Sequence, residues 1–180
     1  MTAKIPEWAR RAQGAWSWRG GARPPFAVEP RAGEESVWDY PRPPRIVADR
    51  RHVVVRAGDT IVADTRSALR VLETASPPTF YLPACDVRCE ALVAAPGVSR
   101  CEWKGEARYW SLRGEPVAWS YPDPLPDFAA LRDHFGFYPQ RLVCTVDGER
   151  VTPQPGGFYA GWITPEIVGP WKGERGSEGW

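Results

Sequence analysis

Three stretches fold back on themselves about a glycine turn, and they constrain the fold more than anything else in the chain. "RHVVVRAGDTIVAD" sets β-branched residues on both sides of Ala57–Asp59. "ARYWSLRGEPVAWSY" does the same around Gly114–Glu115, and "RLVCTVDGERV" around Asp147-Gly148. Short turns of this chemistry between apolar, β-prone runs specify antiparallel hairpins. No alternating strand–helix–strand series appears, so a parallel sheet is not expected. The expected fold class is α+β and mainly β: a small, partly closed antiparallel β-barrel or folded sheet built from hairpins, with two short helices. One helix is expected over "DTRSALRVLET". There Asp64 or Thr65 would cap, Ala68, Leu69, Val71 and Leu72 would supply one apolar side, and Pro77-Pro78 would stop it. The other is expected over "PDFAALRDHFGFYP", with Asp127 near its start, Phe128, Leu131 and Phe135 on one face, and Gly136 ending it. "TFYLP" reads as a short strand. So does "DVRCEALVA", where Val87, Cys89 and Ala91 alternate with charged residues.

A chain of 180 residues suits one domain, or one domain with an extension. Residues 1–36 are read as a basic, Pro/Gly-rich N-terminal extension, with a short helix at "PEWARRAQ". Residues 37–180 are read as a single mainly-β domain with an irregular, Trp-anchored C-terminal tail. Ten Trp and twenty Pro, interleaved, point to long ordered connections pinned by aromatic rings and not to disorder. Residues 1–56 hold eleven basic against six acidic residues, net +5, whereas 57–180 hold twelve against sixteen, net −4. The simplest reading is a basic arm lying across an acidic body. With a net charge of only +1, nucleic acid is not an expected partner.

No apolar run approaches the length of a membrane span, and the first residues do not read as a signal peptide, so a cytoplasmic location is expected. Cys85, Cys89, Cys101 and Cys144 are then expected to be thiols, and their spacing lacks the paired knuckles of a zinc site.

One short phrase occurs twice: Trp-Lys-Gly-Glu, at Trp103–Glu106 in "CEWKGEARYW" and at Trp171–Glu174 in "WKGERGSEGW". On a strand, Lys104, Glu106 and Arg108 would share one face, either as a solvated charge ladder or as a cradle for an anionic group walled by Trp103 and Tyr109. The second copy sits in a Gly-rich tail with nothing regular to hold Lys172, and is read as an end strap. Glu73, at the end of the expected helix, opposes the helix dipole and invites a cationic partner such as Arg108 or Lys104, or a general-base role. Trp119, Tyr121 and Asp123 in "AWSYPDPLP" and Tyr81 in "FYLPACD" are expected to line the same cleft. Gly156 and Gly157 lack any phosphate-loop pattern.

The phrases "ESVWDYPRPPR", "ADTRSALRVLE", "PPTFYLP", "CEWKGEARYWS", "AWSYPDPLP" and "VDGERVTPQPGGFYAGWITPEIVGPWKG", in this order, resemble the bacterial domain-of-unknown-function 427 family, also catalogued as nucleotidyltransferase-like. The resemblance covers about residues 35–180 and implies a small, mainly β domain. It implies little about activity. The chain has no D-x-D pair of the sort that nucleotidyl transfer uses for its metals. Some short relatives hold haem through paired histidines, and the only histidines here are His52 and His134. Where relatives often carry an acidic residue and Met, this chain has Cys85 and Cys89.

The leading expectation is a small-molecule binding protein whose cleft takes an anionic or aromatic ligand, lined by Tyr81, Trp103, Lys104, Arg108, Trp119, Tyr121 and Asp123. The alternatives are a small acid/base enzyme using Glu73 and Lys104, a haem protein using His52 and His134, and a protein interaction module that docks through its basic arm.

Overall fold

Each of the three glycine turns closes a hairpin in the computed structural model, which describes residues 5–180. The first four residues of the basic extension lie outside the described residues. The chain runs α1 (Glu7–Gln13), β1 (Glu35–Ser36), β2 (Arg45–Asp49), β3 (Val53–Ala57), β4 (Thr60–Thr65), β5 (Ala68–Glu73), β6 (Ser76–Pro83) and β7 (Val93–Cys101). It continues through β8 (Gly105–Leu112), β9 (Glu115–Ser120), β10 (His134–Phe137), β11 (Val143–Val146), β12 (Glu149–Arg150), β13 (Thr152–Pro153), β14 (Trp162–Ile163) and β15 (Ile167–Val168). The remaining helical turns are short 3-10 segments.

Seven strands form one open antiparallel sheet in the order β2-β5-β6-β10-β9-β8-β7. A second sheet, β12-β11-β3-β4, joins the first and third hairpins along β3 and β11. Two ribbons complete the fold, β13-β14 and the parallel pair β1-β15. The mainly β, antiparallel reading stands, and it resolves to folded open sheets: neither sheet closes into a barrel.

The main core lies between the two large sheets. Val53, Val55 and Val62 from one face Phe80, Leu82 and Phe137 from the other. Fully buried Trp162 stacks on Phe80 with ring centroids 4.8 Å apart and donates its indole N–H to the Phe137 carbonyl at 3.2 Å. The opposite face of the seven-stranded sheet carries a second cluster that includes Val71, Tyr81, Ala107, Trp119 and Tyr121. Alternation along β6 separates the two: Phe80 and Leu82 turn to the core, Tyr81 to the other side.

Burial on both faces explains where the sequence reading went astray. The expected helix over 64–74 is strand β5. Ala68, Val71 and Leu72 are all buried, but in three different clusters, and a bulge between Val71 and Glu73 disturbs the alternation further. A strand covered on both sides reads as a continuous apolar run, which periodicity cannot tell from a helix. Pro77 and Pro78, expected to stop that helix, lie within β6. The expected helix over 126–136 is a 3-10 turn at Pro126–Leu131 followed by strand β10. Asp133, at φ 58°, turns the chain between them. The strand expected over "DVRCEALVA" is instead a pair of 3-10 turns leading into β7.

Candidate functional site

One row of residues crosses the seven-stranded sheet. Pairing sets Tyr81 opposite Gly136, Gly136 opposite Trp119, Trp119 opposite Tyr109 and Tyr109 opposite Ala95. Gly136 lets this row lie flat: a Cβ there would stand 2.3 Å from the Trp119 ring, so the indole rests directly on the β10 backbone. Gly136 therefore makes room inside a strand and does not end a helix. Trp119 donates its indole N–H to the Tyr81 hydroxyl at 3.3 Å, and their rings meet edge to face at 5.9 Å. Tyr138 covers the other side of Trp119, with centroids 4.8 Å apart. This aromatic row floors a cavity of about 700 Å³.

Lys104 enters the cavity from the turn between β7 and β8. Glu106 and Arg108 on β8 alternate outward and are exposed, while Ala107 and Tyr109 face the cavity. Lys104 escapes the outward face because Gly105 has φ 104°, a conformation that resets the direction of the chain. The shared face expected for Lys104, Glu106 and Arg108 is thus broken at the glycine. The Lys104 carbonyl accepts from the Leu125 N–H at 3.0 Å, which docks the "YPDPLP" loop beneath the turn.

Lys172 reaches the same cavity from the opposite end of the chain. Only 4% exposed, it sits with Nζ 3.5 Å from the centroid of Trp16 and 5.5 Å from that of Tyr159. Gly173, at φ 122°, follows it as Gly105 follows Lys104. Gln154 fixes the segment: its amide donates to the Lys172 carbonyl at 2.6 Å and accepts from the Gly161 N–H at 3.1 Å. The reading of the second Trp-Lys-Gly-Glu as an end strap with nothing to hold its lysine is overturned by this burial.

Trp16 forms the wall beside Lys172. It donates its indole N–H to Glu102 Oε1 at 2.7 Å and carries the Arg42 guanidinium at 4.5 Å from its ring. Buried Arg42 donates to the carbonyls of Trp18 and Thr74, and its Nε lies 3.2 Å from Glu73 Oε1. The two acidic residues on the cavity are therefore engaged, Glu73 with Arg42 and Glu102 with Trp16. The helix-dipole argument for Glu73 falls away, because Glu73 ends a strand, and its cationic partner is Arg42 in place of the expected Arg108 or Lys104. Among the described residues neither Lys104 nor Lys172 has a carboxylate within ion-pair distance.

The electrostatics differ at the two amines. Burial lowers the pKa of the Lys172 ammonium and Arg42 adds to the effect, against the pull of Glu73 and Glu102, so that it is pushed down to about 8. Burial also works against the Lys104 charge; Cys101, Tyr81 and Glu73 together raise its pKa, and with the Tyr81 hydroxyl neutral it is Glu73 that favours the ammonium near neutral pH. Burial raises Tyr81 and Tyr121, so both are neutral hydroxyls at physiological pH.

Of the residues singled out from sequence, Glu73, Tyr81, Lys104, Trp119 and Tyr121 line the cavity together. Trp103, Arg108 and Asp123 do not. Trp103 is buried in the cluster beneath, its indole N–H without a hydrogen-bond partner among the described residues. Asp123 is exposed and pairs with Arg132 at 3.3 Å. Trp16, Gln154, Tyr159 and Lys172 are cavity residues that sequence reading missed. For Lys172 the signal was present, since its phrase repeats that of Lys104. For Trp16 there was none, because its place depends on where the N-terminal segment lies.

The histidines stand away from the cavity. His52 precedes β3 with Nε2 2.8 Å from Asp64 Oδ1, and His134 opens β10 with Nδ1 2.8 Å from the Arg132 carbonyl. All four cysteines are free, Cys85 and Cys89 exposed, Cys101 half-buried and Cys144 buried. No helix among the described residues is long and apolar enough to cross a membrane.

A family model described as a domain of unknown function, DUF427, matches residues 45–152. Lys104, the aromatic row and Glu73 fall inside that span, whereas Trp16, Gln154, Tyr159 and Lys172 fall outside it. No curated protein matches the chain.

Proposed function

The chain belongs to the DUF427 family, whose function is unknown, and from that premise we propose that its cavity binds a small anionic ligand with an aromatic or apolar body. One observation carries this reading: two lysines from distant parts of the chain converge on one cavity whose carboxylates are already engaged. An anion between them would offset the Lys172 cation, whose charge burial and the neighbouring Arg42 oppose, with Lys104 as its second partner. The floor of Tyr81, Trp119 and Tyr121 suits a flat or apolar body, and the Tyr hydroxyls supply orienting hydrogen bonds. Cavity size agrees with a metabolite-sized ligand.

Acid/base catalysis by Glu73 is the weaker reading, because its carboxylate is already engaged by the buried Arg42 guanidinium. The test is a thermal-shift and calorimetric panel of nucleoside monophosphates, aromatic carboxylates and sugar phosphates. A ligand at a hundred times its Kd stabilises by about 2.7 kcal/mol. The stabilisation should fall sharply in Lys104→Ala and in Lys172→Met. If no anion stabilises the wild-type protein, the reading is wrong.

A further inference from the structure

Lysine is scarce in this chain: three residues, against twenty arginines. Lys4 lies outside the described residues, and the other two both line the cavity. Elsewhere among the described residues, every fixed positive side-chain charge is an arginine. A guanidinium would also hold an anion better, through two parallel hydrogen bonds. What lysine does and arginine cannot is lose its proton near neutrality and attack an electrophile. Charge alone therefore does not account for the residue type at these two positions.

The two amines stand in unlike surroundings. Lys104 stands beside Cys101 and the neutral Tyr81 hydroxyl, with Glu73 favouring its charged form. The charged and titratable groups acting on Lys172 are Arg42, Glu73 and Glu102, with the Tyr159 ring 5.5 Å away. Arg42 shares the Trp16 ring with it, and Glu73 and Glu102 are engaged by Arg42 and Trp16. The ring favours a cation, but burial and the neighbouring guanidinium oppose one. Two like groups set apart in this way divide the roles of fixed charge and reactive base.

We propose that Lys172 is the nucleophile of a covalent site, condensing with a small aldehyde that also carries an anionic group, with the anion held at Lys104. The inference rests on the anion-binding reading above. The neutral Lys172 nitrogen attacks the carbonyl carbon, forming a C–N bond while the carbonyl π pair moves to oxygen. Oxygen takes up the proton that nitrogen sheds, giving a carbinolamine. Departure of the hydroxyl with one further proton releases water and leaves the imine. No oxidant or reductant enters, and hydrolysis reverses the sequence.

The experiment uses the full chain with pyridoxal 5′-phosphate as the anionic aldehyde and pyridoxine 5′-phosphate as its non-aldehyde control. Borohydride reduces any imine to a stable secondary amine, and peptide mass spectrometry locates it. With so few lysines the assignment is direct. The expected result is one adduct per chain at Lys172, forming faster from pH 7 to 9 and levelling above that. Lys104→Ala should raise the aldehyde concentration needed by about tenfold, and Lys172→Arg should abolish the cavity adduct. The wild-type peptide map decides the question even if either variant folds poorly. An adduct confined to Lys104, Lys4 or the N-terminus overturns the proposal. Stabilisation by pyridoxine 5′-phosphate without a Lys172 adduct overturns the covalent step and leaves anion binding standing. Neither stabilisation nor adduct overturns both.

Discussion

Lys104 and Lys172 share one cavity because of the glycine that follows each. Gly105 and Gly173 hold φ of 104° and 122°, where a side chain is strained. Their surroundings differ. A Cβ on Gly105 would meet Asp123 O and Leu125 N at 3.4 Å, ordinary contact, so Gly105→Ala should cost only the backbone strain, about 1–3 kcal/mol. A Cβ on Gly173 would meet the Pro155 carbonyl at 2.1 Å, and Gly173→Ala should cost roughly 1–3 kcal/mol more. Urea denaturation of the two variants checks the order, and equal losses would show that the Pro155 contact yields easily. Lys172 also predicts a pH effect. Its folded-state pKa lies below the unfolded value near 10.5, so the unfolded chain binds more protons between the two. The cost of burying its charge is full below about pH 8 and is relieved as pH rises toward 10. Lys172 should therefore contribute a gain of about 1–2 kcal/mol over that window, less than the full shift because water reaches the cavity. Lys172→Met should lack the gain. Burial raises Cys144 and several tyrosines, which act in the opposite direction over the same window, so the test is the stability difference between wild type and Lys172→Met: a difference that stays flat from pH 8 to 10 would contradict the assignment.

At the scale of elements, the hairpins were legible and the strands between them were not. Turns at Gly58, Gly114 and Gly148 announce themselves because only a few residues accept positive φ in a tight turn. Strands β5 and β10 read as helices because residues on both their faces are buried: Val71 turns toward the cavity side and Ala68 toward the main core. Gly136 shows how meaning depends on element type. In a helix it would be a stop, whereas in β10 it is the recess for Trp119. Gly136→Ala should therefore destabilise by about 2–4 kcal/mol, at the upper end of overpacking costs, and should displace Trp119 into the cavity. Near-ultraviolet circular dichroism reads the ring and chemical denaturation reads the stability. A neutral substitution with an unchanged spectrum would mean the indole does not lie on β10.

Across the whole molecule, the ends of the chain complete what the middle begins. Trp162 joins the two large sheets from the C-terminal side, fully buried and hydrogen-bonded to Phe137. Trp162→Ala should cost about 3–5 kcal/mol, with loss of cooperative unfolding if the sheets separate. Trp16 does the equivalent for the cavity wall, tying the N-terminal segment to Glu102, Arg42 and Lys172. Trp16→Ala should cost about 1–3 kcal/mol from the lost hydrogen bond and cation–ring contacts, and should weaken anion binding in the same panel. Affinity unchanged in that variant would remove Trp16 from the site. The sequence by itself determined the hairpins and the mainly β class, because turn chemistry and β-prone runs act over a few residues. Only the tertiary structure decided that Lys172 stands with Lys104, that Arg108 and Asp123 do not, and that Trp16 closes the wall. The meeting of Lys104, Lys172 and Trp16 depends on packing between segments more than sixty residues apart, whereas the outward turn of Arg108 follows from the backbone angle of one glycine, neither of which a local pattern announces.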